Sequence, residues 1–199
     1  MIIIFCLINP SNIYDPTELK NLINLKVILG YNFFTIVKQV FKKIQIMKVY
    51  KLKAKQFIKQ PIEEVFGFFS RPENLTKITP SNLNFKILTP SPLEMKQGTV
   101  IDYTIKLFKV PIHWRTLITT YEPPFKFVDE QMKGPYNFWH HTHMFKENSD
   151  GVEIFDEVHY SIPFGPLGNL LHSLWIKKDL NHIFEYRKDV IDNLFKEKG

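Results

Sequence analysis

The chain has 199 residues, 44% of them hydrophobic, with 18 Phe and 13 Pro, which supplies one globular domain with a sizeable core built from strands and turns. Its single cysteine, Cys6, excludes an internal disulfide and leaves a reducing cytoplasm as the default setting. The net charge of +6 would suit a polyanion, but residues 1 to 46 hold five of the lysines against two acids. The rest interleave with Glu and Asp without an arginine-rich run, which argues for a solvated mixed surface and against nucleic-acid binding.

Residues 1 to 46 read as an N-terminal extension, helical, disordered or outside the working protein. Met1 to Ile8 is apolar but has neither a basic start nor a small-residue cleavage site, so it makes a poor signal peptide. Val27 to Ile46 is apolar at first and basic at its end, a pattern that suits an interfacial helix. No run reaches the roughly 18 apolar residues that cross a bilayer, so stable membrane insertion is not expected. A clean strand pattern opens at Met47, which makes 47–199 the expected working domain.

Val49 to Ile58 alternates and predicts the first strand. Pro61 then suits the start of a helix running to Phe69, with Glu63 and Glu64 in the first turn where the helix dipole favours acids. Arg71 to Ile78 predicts a second short helix, stopped by Thr79-Pro80. Leu83 to Leu88 is a strand broken by Pro90-Ser91-Pro92. Thr99 to Phe108 is another, with Ile101, Tyr103, Ile105 and Leu107 on one face and Asp102, Thr104 and Lys106 on the other. Val110-Pro111 turns the chain into His113 to Tyr121, and Glu122-Pro123-Pro124 turns it into Phe125 to Met132.

Two alternating runs, Gly134 to Phe145 and Val152 to Pro163, flank the turn chemistry of Asn148-Ser149-Asp150-Gly151 and predict an antiparallel hairpin. Pairing Lys146 with Gly151, or Glu147 with Val152, puts Trp139, His141, His143, Phe145, Val152, Ile154, Asp156, Val158 and Tyr160 on one mostly apolar face. Asp156 then stands opposite His141 or His143, according to register. Two imidazoles, a carboxylate and a phenol on an apolar inner wall point to the lining of a pocket.

From Pro166 the period changes. Leu167, Leu170, Leu171 and Leu174 recur at helical spacing, as do Leu180, Ile183, Phe184, Arg187, Ile191 and Leu194. Lys177, Lys178 and Asp179 interrupt the stripe and predict a kink or change of face. A helix of roughly 30 residues spans about 45 Å, long enough to lie across a whole sheet. Trp114 and Trp175 read as core aromatics. His113, His159, His172 and His182 show no convergent partner and read as structural, whereas His140 and Glu157 fall on the outer, solvated face of the hairpin.

One strand, two short helices, six strands and a long terminal helix is the order of an α+β helix-grip fold: a curved seven-stranded antiparallel sheet around the C-terminal helix. From Met47 to about Phe195 the chain resembles the SRPBCC superfamily of START, pollen-allergen-like and polyketide-cyclase-like proteins, and within it a branch of small stand-alone bacterial members. The residues that carry the resemblance are Phe127-Val-Asp129-Glu-Gln131, Gly134-Pro135-Tyr136, Trp139-His-His141-Thr-His143-Met-Phe145, Asp156-Glu-Val158-His-Tyr160 and Pro163-Phe-Gly165-Pro-Leu-Gly168. The resemblance implies an apolar cavity between sheet and helix, entered near the short helices, and carriage of a small hydrophobic ligand of lipid, polyketide or isoprenoid type.

Tyr103, Trp139, His141, His143, Asp156, Val158, Tyr160, Phe184 and Arg187 are the candidate ligand-binding residues. A cyclase or dehydratase is the alternative, with His141, Asp156 and Tyr160 as candidate catalytic groups. A protein-interaction module using the outer sheet is a third reading. His141 and His143 have the spacing by which a strand presents two imidazoles to a metal, and Asp156 would complete a facial triad. The resemblance carries no metal or other cofactor, and His paired with Asp satisfies buried polar groups without one, so none is expected. Arg187, on the sheet-facing stripe, clamps a ligand carboxylate, pairs with Asp156, or snorkels at the helix border.

Overall fold

A computed structural model describes residues 48–107 and 109–196; the readings made for 1–46 lie outside the described residues. The first strand, β1 (Val49–Ile58), alternates as its sequence does, with Leu52 and Ile58 buried and Lys51, Lys53 and Lys55 outside. Helix α1 (Ile62–Phe69) follows Pro61 and buries Ile62, Val65, Phe66 and Phe69 at the spacing of one helical face. The second predicted helix is a 3-10 segment, Pro72–Thr76, and a shorter one covers Ser81–Leu83. The shorter one takes Leu83 from the run expected as a strand over Leu83 to Leu88, and with Asn84 in the left-handed conformation only β2 (Lys86–Ile87) pairs.

Strands β3 (Val100–Leu107), β4 (Val110–Glu122), β5 (Lys126–Lys133), β6 (Phe138–Asn148) and β7 (Gly151–Ser161) complete one open antiparallel sheet in the order β1-β7-β6-β5-β4-β3-β2. Val110 and Pro111 belong to β4 rather than to a turn, paired with Leu107 and Lys106, and Lys109 takes the positive φ of 68° that the tight connection requires. Proline is tolerated there because pairing of β4 with β5 begins only at Arg115, so the missing N–H of Pro111 faces an unpaired edge. In the β6–β7 hairpin Glu147 stands opposite Val152, the second of the two anticipated registers, which sets His143 across from Asp156 and His141 across from Val158.

The C-terminal rod is α2 (Gly165–Leu171), a π-helical turn (His172–Ile176) and α3 (Lys177–Lys196). The change of face expected near Lys177 is this π turn. Two readings are corrected here. Leu167, Leu170 and Leu174 are 59%, 55% and 55% exposed, and Trp175 is 54% exposed rather than core. The π turn between α2 and α3 offsets the stripe of one from that of the other, so only one of the two apolar stripes faces the sheet. The sheet takes Leu180 and Ile191 of α3 and His172 of the π turn, while in α2 Gly168 is buried against Ile162 and Pro163 of the entry loop.

Apolar residues bury in two clusters. One joins α1 to Phe127, Phe145, Val152 and Ile154 of the sheet and to Ile191 and Phe195 of α3, with Phe66 edge-on to Phe145 at 5.2 Å between ring centroids. The other gathers Leu52, Val158, Tyr160 and Leu180. Polar ties fix the rod: Gln56 of β1 donates to the Lys188 carbonyl at 3.0 Å and to Asp192 Oδ1 at 2.8 Å, and Tyr50 donates to Asn169 at 2.8 Å.

Candidate functional site

Along β6, Trp139, His141, His143 and Phe145 point inward because strand side chains alternate, while His140 points out and pairs with Glu130 at 2.9 Å. Across from β6, β7 sends Asp156 inward, and on its other side β5 sends Phe127 and Asp129 inward. The two imidazoles are therefore sandwiched between two carboxylates. His141 Nε2 donates to Asp156 Oδ1 at 2.9 Å, and His143 Nε2 donates to Asp129 Oδ2 at 3.0 Å. The remaining nitrogens also meet carboxylates: His143 Nδ1 lies 2.7 Å from Asp156 Oδ1 and His141 Nδ1 lies 3.4 Å from Asp129 Oδ2. His143 Nδ1, although close, is out of line for a hydrogen bond and remains buried without one.

The imidazole centroids are 3.8 Å apart, and the His143 ring stacks on Phe127 at 4.1 Å. Burial raises the Asp156 carboxyl, but the charge of His143 and the hydrogen bond from His141 outweigh it and hold the group well below the usual carboxylate range. Asp129 is lowered too, the neighbouring imidazoles overcoming its burial. The two histidines move apart. Desolvation and the neighbouring ring lower His141, while in His143 the pull of Asp156 and Asp129 exceeds desolvation and raises it.

Asp129, His141 and His143 form part of the wall of a cavity of about 200 Å³ between the sheet and α3. Ile101, Tyr103, Ile105 and Leu107, the face anticipated for β3, all line it, as do Trp114, Thr116 and Ile118 of β4, Trp139 of β6 and Leu180, Phe184 and Arg187 of α3. Phe69, Leu75 and Ile78 line the end nearest α1 and the 3-10 turns. Its polar groups are few. Tyr103 Oη is 3.3 Å from Thr116 Oγ1, its phenol pushed up by burial, and the buried indole N–H of Trp114 has no partner among the described residues.

Six of the nine anticipated ligand-binding residues share this wall: Tyr103, Trp139, His141, His143, Phe184 and Arg187. Three do not. Asp156 stands behind the imidazoles, Val158 is fully buried in the second apolar cluster, and the Tyr160 hydroxyl is engaged by His172 Nε2 at 2.9 Å. His172, read as having no partner, is thus the partner of Tyr160 and also stacks on Tyr50 at 3.5 Å between centroids. His113 likewise has a partner, Asp102 at 2.7 Å. Arg187 forms no ion pair with Asp156 among the described residues; its guanidinium stands 5.7 Å from the Phe184 ring centre. The residue that sequence reasoning left out is Asp129. Its signal was the parity of β5, since an inward Phe127 carries Asp129 inward as well.

No protein-family model matches this sequence, and no curated protein matches it. Solved structures do. A protein of Thermus thermophilus superimposes with a TM-score of 0.56 at 13% identity over 71% of this chain and 97% of its own. A protein of unknown function from Staphylococcus aureus gives 0.58 at 10% identity over 76% and 96%. The ginseng major latex-like protein 151 of Panax ginseng gives 0.52 at 12% identity over 74% and 97%. With these structures the chain shares the helix-grip fold of SRPBCC-type proteins: an open seven-stranded antiparallel sheet with a long C-terminal helix. No helix among the described residues is long and apolar enough to cross a membrane.

Proposed function

We propose that this protein binds a small hydrophobic molecule with one polar end in the cavity between sheet and α3. The observation that carries the reading is the make-up of that wall. Aliphatic and aromatic side chains form most of it, while Asp129, His141, His143, Tyr103 and Arg187 supply a polar region. Apolar burial provides affinity at about 25 cal/mol per Å², and a few convergent polar groups orient the ligand. At about 200 Å³ the cavity falls below the roughly 300–1,000 Å³ of drug-sized sites, which favours a short isoprenoid or acyl chain or a single-ring polyketide fragment over a whole phospholipid. The unpartnered Trp114 N–H and the Arg187 guanidinium favour an oxygen-bearing, acidic polar end.

Native mass spectrometry of protein purified from its host tests this, and a bound apolar acid or enol is the expected result. Ile105→Phe, which adds bulk to the wall, abolishes displacement of anilinonaphthalene sulfonate by that compound. Recovery of ligand-free protein that also fails to bind the dye rules the reading out. A second reading, an enzyme of cyclase or dehydratase type, draws on the placement of Tyr103 and His141 on one cavity wall. It predicts that His141→Gln abolishes turnover of the bound compound while leaving its binding within a few fold.

A further inference from the structure

Asp129, His141 and His143 each offer one ligand atom, and these atoms lie within 4.8 Å of one another. We propose that Asp129, His141 Nδ1 and His143 Nε2 form a binding site for one divalent first-row transition ion, held on the cavity wall with its open coordination positions toward the ligand space. This does not depend on the ligand reading, because the site is built from three protein groups alone.

Spacing supports the assignment. Bonds of 2.0–2.2 Å to imidazole and carboxylate place the corners of a tetrahedral ion about 3.3–3.6 Å apart. The Asp129 oxygen is 3.4 Å from His141 Nδ1 and 3.0 Å from His143 Nε2, so separation by a few tenths of an ångström admits the ion in place of the proton between His143 and Asp129. The donor set is two nitrogens and one oxygen, which suits zinc or ferrous iron rather than magnesium or calcium. Coordination by three protein groups leaves at least one position open, as in catalytic rather than structural metal sites.

What lies behind the three ligands supports it independently. Asp156 contacts the far nitrogen of each ring, Nε2 of His141 at 2.9 Å and Nδ1 of His143 at 2.7 Å. That is the carboxylate–imidazole–metal arrangement, in which the outer acid fixes the tautomer and turns the other nitrogen to the ion. It also keeps a carboxylate oxygen 2.7 Å from His143 Nδ1, the nitrogen left protonated once Nε2 ligates a metal. Charge agrees as well. With both imidazoles neutral, a divalent ion offsets the two carboxylates, Asp129 and Asp156, that flank them.

The experiment uses the full chain, stripped with a chelator and then titrated with Zn²⁺ by calorimetry and with Co²⁺ by visible absorption. One equivalent per chain and an intense visible Co²⁺ band are expected. Asp129→Asn, a near-isosteric change at a partly exposed carboxylate, weakens Zn²⁺ binding at least about 100-fold with unchanged circular dichroism, and Asp156→Asn weakens it about 10- to 100-fold. His140→Ala and Cys6→Ser leave it unchanged. Should His141→Gln fail to fold, the Co²⁺ spectrum of the unaltered protein still decides. The proposal is overturned if the unaltered chain takes up less than about a tenth of an equivalent, or if stoichiometric binding survives Asp129→Asn.

Discussion

Asp156 Oδ1 lies within 3 Å of two imidazole nitrogens, and its side chain is nearly sealed from solvent. Removing it leaves His143, which is raised, without its main counter-charge in a buried setting. Breaking such a pair costs on the order of 3–5 kcal/mol. Asp156→Ala is therefore expected to lower the urea-derived stability of the stripped protein by about 3 kcal/mol, and Asp129→Ala by less, since Asp129 is 18% exposed on the cavity side. Equal losses would mean the two carboxylates are not ranked by burial. His172 gives a prediction of a different kind. Desolvation first, then Lys48 and Lys177, lower its folded-state value below the ordinary one, so the unfolded chain takes up its proton at the higher pH. Stability is fully present above the unfolded value of about 6.5 and falls as pH drops from there through the folded value. Neutral His172 accepts the Tyr160 hydroxyl, whose own pKa burial pushes up to about 12. His172→Gln should flatten the loss measured in urea between pH 7.5 and 5, and an unchanged slope would show that His172 is not its source.

At the scale of elements, the entry into the C-terminal rod is a tightly constrained segment. Phe164 takes a positive φ of 73° and leads into α2, whose Gly168 packs so closely on the Pro163 carbonyl that a Cβ there would collide with backbone. Gly168→Ala is expected to destabilise by about 1–3 kcal/mol despite the helix preference of alanine. In a domain of this size that lowers Tm by roughly 2–4 °C per kcal/mol, readable by scanning calorimetry. No change, or a rise, would show that α2 does not dock this way. The same tight docking explains the exposed leucines of α2. Gly168 faces the Ile162–Pro163 segment so that the two backbones can approach, and Leu167 and Leu170 are turned outward. Pattern reading assigns leucine to the core by default, and the rule fails where close backbone approach outranks side-chain burial.

Across residues 48–196, β1, the β6–β7 hairpin and α3 contribute to both apolar clusters, with Ile58, Val152 and Ile191 each at most 3% exposed. A chain starting at Met47 should accordingly unfold in one cooperative transition, with calorimetric and van't Hoff enthalpies equal. Two resolved transitions, or loss of folding, would mean that residues 1–46 belong to the domain. Much of this architecture was legible in the sequence because the period of apolar residues changes from two to 3.6 at Pro166, and because Asn148 to Gly151 forces a hairpin whose parity puts His141, His143 and Asp156 on one face. The side-chain alternation of β3 likewise named its cavity face. What the linear pattern could not give was distance. Parity puts Asp129 and Asp156 on the same inner surface, but only strand order, with β6 between β5 and β7, makes them flank the imidazoles. Tertiary packing likewise decided that the Tyr160 hydroxyl goes to His172 and that Leu167 and Trp175 face outward. Side-chain period is a local property of the backbone and is written in the chain, whereas which carboxylate, hydroxyl or leucine meets which neighbour depends on strand register and helix rotation, and these are fixed only when the sheet and the rod close on one another.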